Sequence, residues 1–424
     1  MNSPDFIELS QFVHYLRKRF HLPCLAGMFR DSRLRPRIPS CAVWLSLFLG
    51  EVVHVFSFLQ LQAETRLPQW QRWVGYRGEI SDDTFDYVSE RLDPAPLRQA
   101  AWWINRKLKR GKAFEASKLH GLLVVSLDAN EQFHSDHRCC EDCLCREVTR
   151  KNAQGQEVKT LQYYHKQVYA QLSGPRLSVI LDFEPMRAGE EECATALRLL
   201  RRMRQEYGPR FWDVIVVDSW YVNGPFLKTV VEELGWPVIA VLKQECREVH
   251  QEIQALTRGQ VATQVVERDG RQVEVWDVPK LRFTDSYPGP VRGIKVCEQW
   301  TERKRVGGQC RRVPQEQNWI WVVAGELSGY EGAIIRDLGH LRWKVENNAF
   351  GELTQHWHLT HCAHHHPVAV VVLLWIKLLA FTLFHAFAIL NSKLLRLGQV
   401  TLKELRNRLY RSLLCGEPLL FFSG

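Results

Sequence analysis

Short apolar runs in the middle of the chain predict buried β-strands. The clearest is Val214–Val217, four β-branched residues that lead directly into Asp218. Such a run is typical of a strand that is buried on both faces. Leu122–Leu127 leads into Asp128 in the same way. Further runs of this kind occur at Gln167–Leu172, Leu177–Phe183 and Val238–Leu242.

Helical patterns separate these runs. In Glu190–Tyr207 the apolar residues recur at helical spacing, and the arginines occupy the other face. Pro225 follows a turn-forming Asn-Gly pair and is well placed to begin a second helix over Phe226–Leu234. Three strands followed by helix, strand, helix and strand predict an α/β fold with one mixed sheet. We assign its first part to residues 116–243.

The flanking regions have other patterns. Residues 1–115 predict a helical domain, with a continuous apolar helical stretch at Cys41–Leu61. Residues 244–325 predict a β-rich insertion, in which one hairpin turns at a central Asp-Gly pair. Residues 326–390 return to helices that complete the sheet domain, and residues 391–424 form a helical tail. A second predicted hairpin turns at a Gly-Gly pair flanked by Arg303, Lys304, Arg305, Arg311 and Arg312.

One segment has the length and composition of a membrane span. Val368–Leu390 is almost wholly apolar, and a span needs ~20 such residues. It contains Lys377 and His385, however, and ionisable side chains are rare in spans. We therefore prefer a buried core helix. A membrane protein built around this segment is the alternative.

The charge of the chain indicates a polyanionic partner. It carries 56 Lys and Arg against 47 Asp and Glu, a net charge of +9, with a pI of about 9.0. Basic clusters recur in residues 1–115, so we predict that this domain contacts the DNA backbone; solvated helix faces are the alternative. The acidic first residues lack an apolar core, so we expect no signal peptide and a cytoplasmic protein.

Two carboxylates at the ends of buried strands suggest one shared site. Asp128 and Asp218 each follow a run that is predicted to lie in the sheet, where ligands collect at the carboxyl edge. Divalent metals would offset the charge of both and activate water for phosphoryl chemistry. The alternative is that one aspartate caps a helix and the other ends a strand. Glu346, with Arg342 one helical turn before it, is a candidate third carboxylate beside a phosphate-binding arginine.

These three carboxylates and the insertion resemble the bacterial insertion-sequence transposases with a DDE triad. Asp128 lies in VVSLDANE, Asp218 in VIVVDSWYVN and Glu346 in RWKVENN, with the β-rich insertion before the glutamate. The resemblance covers roughly residues 115–390 and implies a ribonuclease-H-like catalytic domain. It implies two Mg²⁺ or Mn²⁺ ions on the triad, cutting of phosphodiester bonds, and joining of the freed 3′-OH to another DNA.

The resemblance also implies partners and further contacts. The partners are double-stranded DNA, at the terminal inverted repeats of the element and at the target, and a second copy of the chain in a homodimer. Lys243 and Lys344 are candidates for phosphate contact. Trp220 either stacks on a base or packs in the core, and we prefer the core.

The family signature around the glutamate is Tyr-x2-Arg-x3-Glu-x6-Lys, and the chain departs from it twice. It keeps Arg342 and Glu346, but it has Gly339 in place of the tyrosine and Leu353 in place of the lysine. The departures concern how the DNA end is handled, including any hairpin intermediate, and leave the proposed metal ligands unchanged.

A cluster of cysteines and histidines follows Asp128 in a connection of about 35 residues, too long for an unsupported loop. Cys140 and Cys143 have the spacing of a zinc knuckle, and His165 is a plausible third ligand. Cys139, Cys145, His134 and His137 compete for the fourth place; free thiols are the alternative. We assign no role to a second histidine group, which consists of His356, His358, His361, His364, His365 and His366.

Two other functions remain open at this point. A metal-dependent nuclease would cut without joining, and a catalytically silent protein descended from a transposase would only bind DNA.

Overall fold

A computed structural model describes residues 4–152, 154–243, 247–306, 309–344, 350–392, 395 and 398–415. The helices are α1 (Pro4–Phe20), α2 (Leu22–Ala26), α3 (Ser40–Val53), α4 (Phe58–Thr65), α5 (Pro68–Val74), α6 (Asp82–Ser89), α7 (Pro94–Arg110), α8 (Glu192–Tyr207), α9 (Gly224–Lys228), α10 (Glu248–Thr257), α11 (Gly332–Lys344), α12 (Phe350–His356), α13 (Pro367–Leu390) and α14 (Leu402–Cys415). The strands are β1 (Val124–Ser135), β2 (Leu144–Lys151), β3 (Glu157–Ser173), β4 (Val179–Pro185), β5 (Val214–Val217), β6 (Val238–Val241), β7 (Gln264–Arg268), β8 (Arg271–Leu281), β9 (Val291–Val306) and β10 (Gln309–Ala324).

The strands of the described residues form one continuous mixed sheet. Its order is β2-β3-β1-β5-β6-β10-β9-β8-β7, and β4 pairs with the end of β3 that β2 leaves open. β4, β3 and β1 are antiparallel, whereas β5 is parallel to β1 and β6 is parallel to β5. The predicted fold class is therefore confirmed: this is a ribonuclease-H-like mixed sheet flanked by helices.

The central strand β5 is buried on both faces, as its apolar run predicts. Val214 and Val216 pack into the core that α11 covers, where Leu338 and Leu341 are fully buried. The alternate residues of the strand, Ile215 and Val217, point into the larger core on the opposite face. Because side chains alternate along a strand, an unbroken apolar run serves both cores at once.

Helices from both ends of the chain share the larger core. α13 packs against α3, α6, α7 and β4, and α14 packs against α1. α13 is long and apolar enough to cross a membrane, but most of its residues are buried by other parts of the protein, as a core helix requires. The domain limits proposed from the sequence stay predictions.

Two predicted elements differ from the structure. The stretch Cys41–Leu61 is not one helix, because α3 ends at Val53 and the chain turns before α4. His54 adopts a left-handed conformation there, with φ 65°, which ends the helix. The long connection after Asp128 is also not a loop. β1 continues to Ser135 and pairs with β3, and β2 extends the pairing, so the connection forms a three-stranded β arm.

The β-rich insertion is confirmed as antiparallel strands. Asp269 and Gly270 both have positive φ, 52° and 71°, as a tight two-residue hairpin turn requires. β9 and β10 are 16 residues each and pair along their whole length. Their predicted Gly307-Gly308 turn lies outside the described residues.

Candidate active site and metal centre

Asp128 and Asp218 lie side by side at the carboxyl edge of the sheet. β1 and β5 are adjacent and parallel, with Ser126 opposite Val216. Two residues further along this register, Asp128 falls beside Asp218, and neighbouring strands are ~4.8 Å apart. Asp218 keeps an extended backbone, and its Oδ1 accepts a hydrogen bond from the Trp220 amide at 2.8 Å. The structure therefore brings the two predicted aspartates together.

Both carboxylates open into one cleft. It is lined by Asp128, Lys166, Met186, Glu190, Glu191, Glu192, Cys193, Asp218, Trp220, Asn223 and Arg247. The buried Tyr221 is close to this charge: burial raises its pKa well above the usual value, and Glu192, Asp128 and Asp218 raise it further. Carboxylate oxygens are the donors that Mg²⁺ and Mn²⁺ prefer, so the side chains present fit a divalent-metal site.

The cleft contains charged residues that were not predicted from the sequence. Glu192 Oε2 lies 2.8 Å from Lys166 Nζ, and both side chains line the cleft. Three consecutive glutamates at 190–192 are the sequence signal for this feature. Such a run before a helix ordinarily indicates only a helix N-terminus, which favours acidic residues.

The preferred interpretation of Trp220 as a core residue is wrong. Its side chain is 62% exposed at the rim of the cleft. It lies in the short helical turn that follows β5, where the chain has already left the sheet. An exposed indole beside two carboxylates is available to a ligand in the cleft.

α11 brings a buried arginine to the carboxylates. Arg342 is only 3% exposed, and its Nη1 lies 4.0 Å from Asp128 Oδ2. Its guanidinium carbon is 4.7 Å from the centroid of the Trp343 ring, and the exposed Lys243 places its Nζ 5.1 Å from the same centroid. Two of the predicted phosphate-binding cations thus lie at this edge of the sheet. The third carboxylate, Glu346, and the side chain of Lys344 lie outside the described residues.

Packing accounts for both departures from the signature around the glutamate. At Gly339 a Cβ atom would approach Trp321 Nε1 on β10 to 2.4 Å, so α11 sits too close to the sheet for a tyrosine. Leu353, in the position of the signature lysine, is fully buried in the larger core. A lysine there would bury its charge unpaired, which is very unfavourable.

The three predicted zinc ligands converge at the base of the β arm. Cys140 Sγ is 3.7 Å from Cys143 Sγ, and the two sulfurs are 3.3 and 3.5 Å from His165 Nε2. The Cys140 amide also donates to Cys143 Sγ at 3.3 Å, the geometry of a tight knuckle. Burial and the neighbouring His365 lower the pKa of His165 to about 4, so its ring is neutral near pH 7.

The fourth member of this group is a histidine for which the sequence predicted no role. His365 Nε2 lies 3.2 Å from His165 Nε2 and 3.3 Å from Cys143 Sγ. Within the described residues, these four side chains form the one group of three or more His, Cys, Asp or Glu whose ligand atoms lie close enough together, within 4.8 Å, to share a metal ion. The four candidates proposed for the fourth place lie outside this group and are exposed; they are Cys139, Cys145, His134 and His137.

Comparisons with known proteins place the chain among transposases. A family model described as the transposase DDE domain matches residues 164–383, slightly more than half of the chain. No curated protein sequence matches the chain. Among solved structures, one similar chain belongs to the piggyBac transposase in a synaptic complex with hairpin DNA. It is 12% identical, with a TM-score of 0.41, over 96% of this chain and 77% of that one.

Proposed function

Because this chain belongs to the transposase DDE domain family, we propose that it moves an insertion sequence by cutting phosphodiester bonds at the element ends and joining them to target DNA. The observation that carries the proposal is that Asp128 and Asp218, which lie on and directly after two adjacent parallel strands, open into one cleft. Two carboxylates so close together repel each other unless a cation lies between them. Such a pair therefore favours a metal-dependent phosphoryl-transfer site over a structural role.

Asp128, Asp218 and Glu346 would hold two Mg²⁺ or Mn²⁺ ions. When bound, such ions lower the pKa of the attacking water or 3′-OH and stabilise the leaving oxygen. Within this proposal a structural zinc ion, held by Cys140, Cys143 and His165, is a separate centre.

The other predicted site residues, together with Lys166, would orient the reacting groups and bind the DNA. Arg342 lies against Asp128 and limits the positions that this carboxylate can adopt. Lys243, Lys344 and the cleft residue Lys166 supply positive charge for DNA phosphates. Trp220 offers an exposed ring on which an unstacked base can rest, a contact worth ~1–3 kcal/mol.

The proposed partners are double-stranded DNA, as terminal inverted repeats and as target, and a second copy of the chain in a homodimer. A bacterial host, with the protein in the cytoplasm and on the nucleoid when bound to DNA, belongs to the same proposal. The net charge of +9 supports a polyanionic partner.

The exposed end of the β9–β10 hairpin supports DNA binding most directly. Arg303 pairs with Arg312 across the strands, and Lys304 pairs with Arg311. Like charges directly opposite each other destabilise a sheet, and of these four cations Lys304 has a carboxylate partner within the hairpin, Glu302 at 3.2 Å. A phosphate backbone would neutralise these like charges.

We expect the variant Arg311→Ala/Arg312→Ala to bind DNA about tenfold more weakly at physiological salt. If each arginine neutralises one phosphate, the slope of log K against log salt falls by about 2. Fluorescence anisotropy over a salt series measures both quantities. The charge-matched variant Arg258→Ala/Arg282→Ala, at exposed positions outside the hairpin end, should leave the slope unchanged. An unchanged slope in the hairpin variant would remove this surface from the DNA interface.

A strand-transfer assay tests the proposed function. The purified protein is incubated with Mg²⁺, a labelled DNA fragment carrying the sequence that flanks its gene, and a supercoiled plasmid. We expect labelled DNA to become joined to the plasmid. Nicking without joining would instead identify a nuclease, and retardation of the fragment without cutting would identify a silent DNA-binding protein.

A further inference from the structure

We infer that one zinc ion is bound by Cys140, Cys143, His165 and His365, and that this centre fastens the β arm to the chain segment before α13. The fourth ligand and the fastening go beyond the transposase function. Neither requires catalysis, so both can be tested in an inactive variant.

The distances between the ligand atoms are those of a tetrahedral zinc centre. Bonds of ~2.3 Å to sulfur and ~2.0 Å to nitrogen require ~3.8 Å between sulfurs, ~3.5 Å between sulfur and nitrogen, and ~3.3 Å between nitrogens. The sulfurs of Cys140 and Cys143 are 3.7 Å apart. Three of the four sulfur–nitrogen distances are 3.3–3.5 Å, the fourth, from Cys140 to His365, is within 4.8 Å, and the nitrogens of His165 and His365 are 3.2 Å apart.

Neither a disulfide nor a set of hydrogen bonds accounts for the cluster as well as a metal does. A disulfide requires sulfurs ~2.05 Å apart, and both cysteines are free. Hydrogen bonds would join these side chains in pairs. They give no reason for both Nε2 atoms and both sulfurs to converge within 4.8 Å of one another. Two sulfurs and two imidazole nitrogens in a tetrahedron are the donor set of Zn²⁺ and are unsuited to Mg²⁺.

The centre joins parts of the chain that are far apart in sequence. Cys140 and Cys143 lie in the turn between β1 and β2, and His165 lies on β3. His365 is 200 residues further along, in the segment between α12 and α13. The ring of Phe133 on β1 packs against the ring of His365, with centroids 4.5 Å apart.

The position of the centre links it to the catalytic edge and to the helices. Phe133 lies on the strand that carries Asp128, so the metal holds the far end of that strand. Next to His365, His364 lies 3.0 Å from Asp86 on α6 and 2.8 Å from Glu90, the residue that directly follows α6. A metal at the centre therefore ties the end of β1 to a segment that is already attached to the helical core.

Zinc analysis of the full-length Asp218→Asn protein tests the centre apart from catalysis. We expect one zinc per chain after purification under reducing conditions. Replacing zinc by Co²⁺ should give the intense visible absorption of a tetrahedral centre. Adding His365→Ala should weaken Zn²⁺ affinity at least ~100-fold, because a ligand is lost, and His365→Cys should restore it. His356→Ala, in the same histidine-rich segment but outside the cluster, is the matched control.

The fastening has its own readout. Limited proteolysis should cut the β arm or the segment before α13 faster in the His365→Ala background, and should leave the His356→Ala background unchanged. Either of two results would overturn the inference. One is that the His365→Ala protein binds zinc as tightly as the Asp218→Asn parent; the other is that a protein whose thiols are all free does not bind added Zn²⁺. Failure of the strand-transfer assay would not affect either measurement.

Discussion

Replacing Asp218 by asparagine is expected to lower strand transfer at least ~10³-fold, while the affinity for the DNA end changes by no more than about twofold. An amide keeps the size of the side chain and can still accept the hydrogen bond from the Trp220 amide. It loses the negative charge that would hold a divalent ion, and a factor of 10³ corresponds to ~4 kcal/mol of transition-state stabilisation. Quantifying joined product against time, with anisotropy for binding, measures both effects.

The same strand supplies a matched control. Asp213 lies at the other end of β5, where its Oδ2 accepts a hydrogen bond from the Leu123 amide at 2.7 Å. Asp213→Asn can keep that bond through its amide oxygen, so activity should stay near wild type. Asp128→Asn should behave like Asp218→Asn because both carboxylates serve one site. Wild-type joining by either aspartate variant would remove that residue from the active site.

The central sheet and the aspartate pair could be predicted from the sequence because their signals are local. An apolar run such as Val214–Val217 has few alternatives to a buried strand, and the residue after it must lie at the sheet edge. The β arm gives no such signal. β2 and the first half of β3 are mostly exposed and lack an apolar run, and only their pairing with each other makes them strands.

The residues that were missed depend on contacts across the chain. His365 becomes a candidate ligand only when the fold brings it to His165, 200 residues away. Glu192 stands at the start of α8 and becomes part of the cleft only because α8 packs beside the sheet. Gly339 shows the reverse case. The sequence shows that this position departs from the family signature, but it does not show why. The structure gives the reason, because a Cβ atom at this position would collide with Trp321.

The buried ion pair between Lys377 and Glu51 joins the two ends of the chain. Lys377 Nζ lies 2.9 and 2.7 Å from the two Glu51 carboxylate oxygens and 2.7 Å from the Trp357 carbonyl oxygen. Lys377 is only 4% exposed, within an otherwise apolar α13. Burial raises the pKa of Glu51 even though Lys377 acts to lower it. Lys377 is the cation that opposes this effect of burial on the Glu51 carboxyl.

Lys377→Met should lower the free energy of unfolding by ~3–5 kcal/mol near pH 8, because the carboxylate of Glu51 is left buried without its cation. Since burial raises the folded-state pKa of Glu51, the carboxyl is protonated at low pH, and the loss should shrink as the pH falls toward 5. Denaturation in urea at both pH values, followed by tryptophan fluorescence, measures this. The apolar pair Glu51→Leu/Lys377→Met should recover at least half of the loss, because neither charge remains buried. If the single variant were as stable as wild type at pH 8, the ion pair would contribute nothing measurable to the free energy of unfolding. Apolar packing alone would then hold α13 in place.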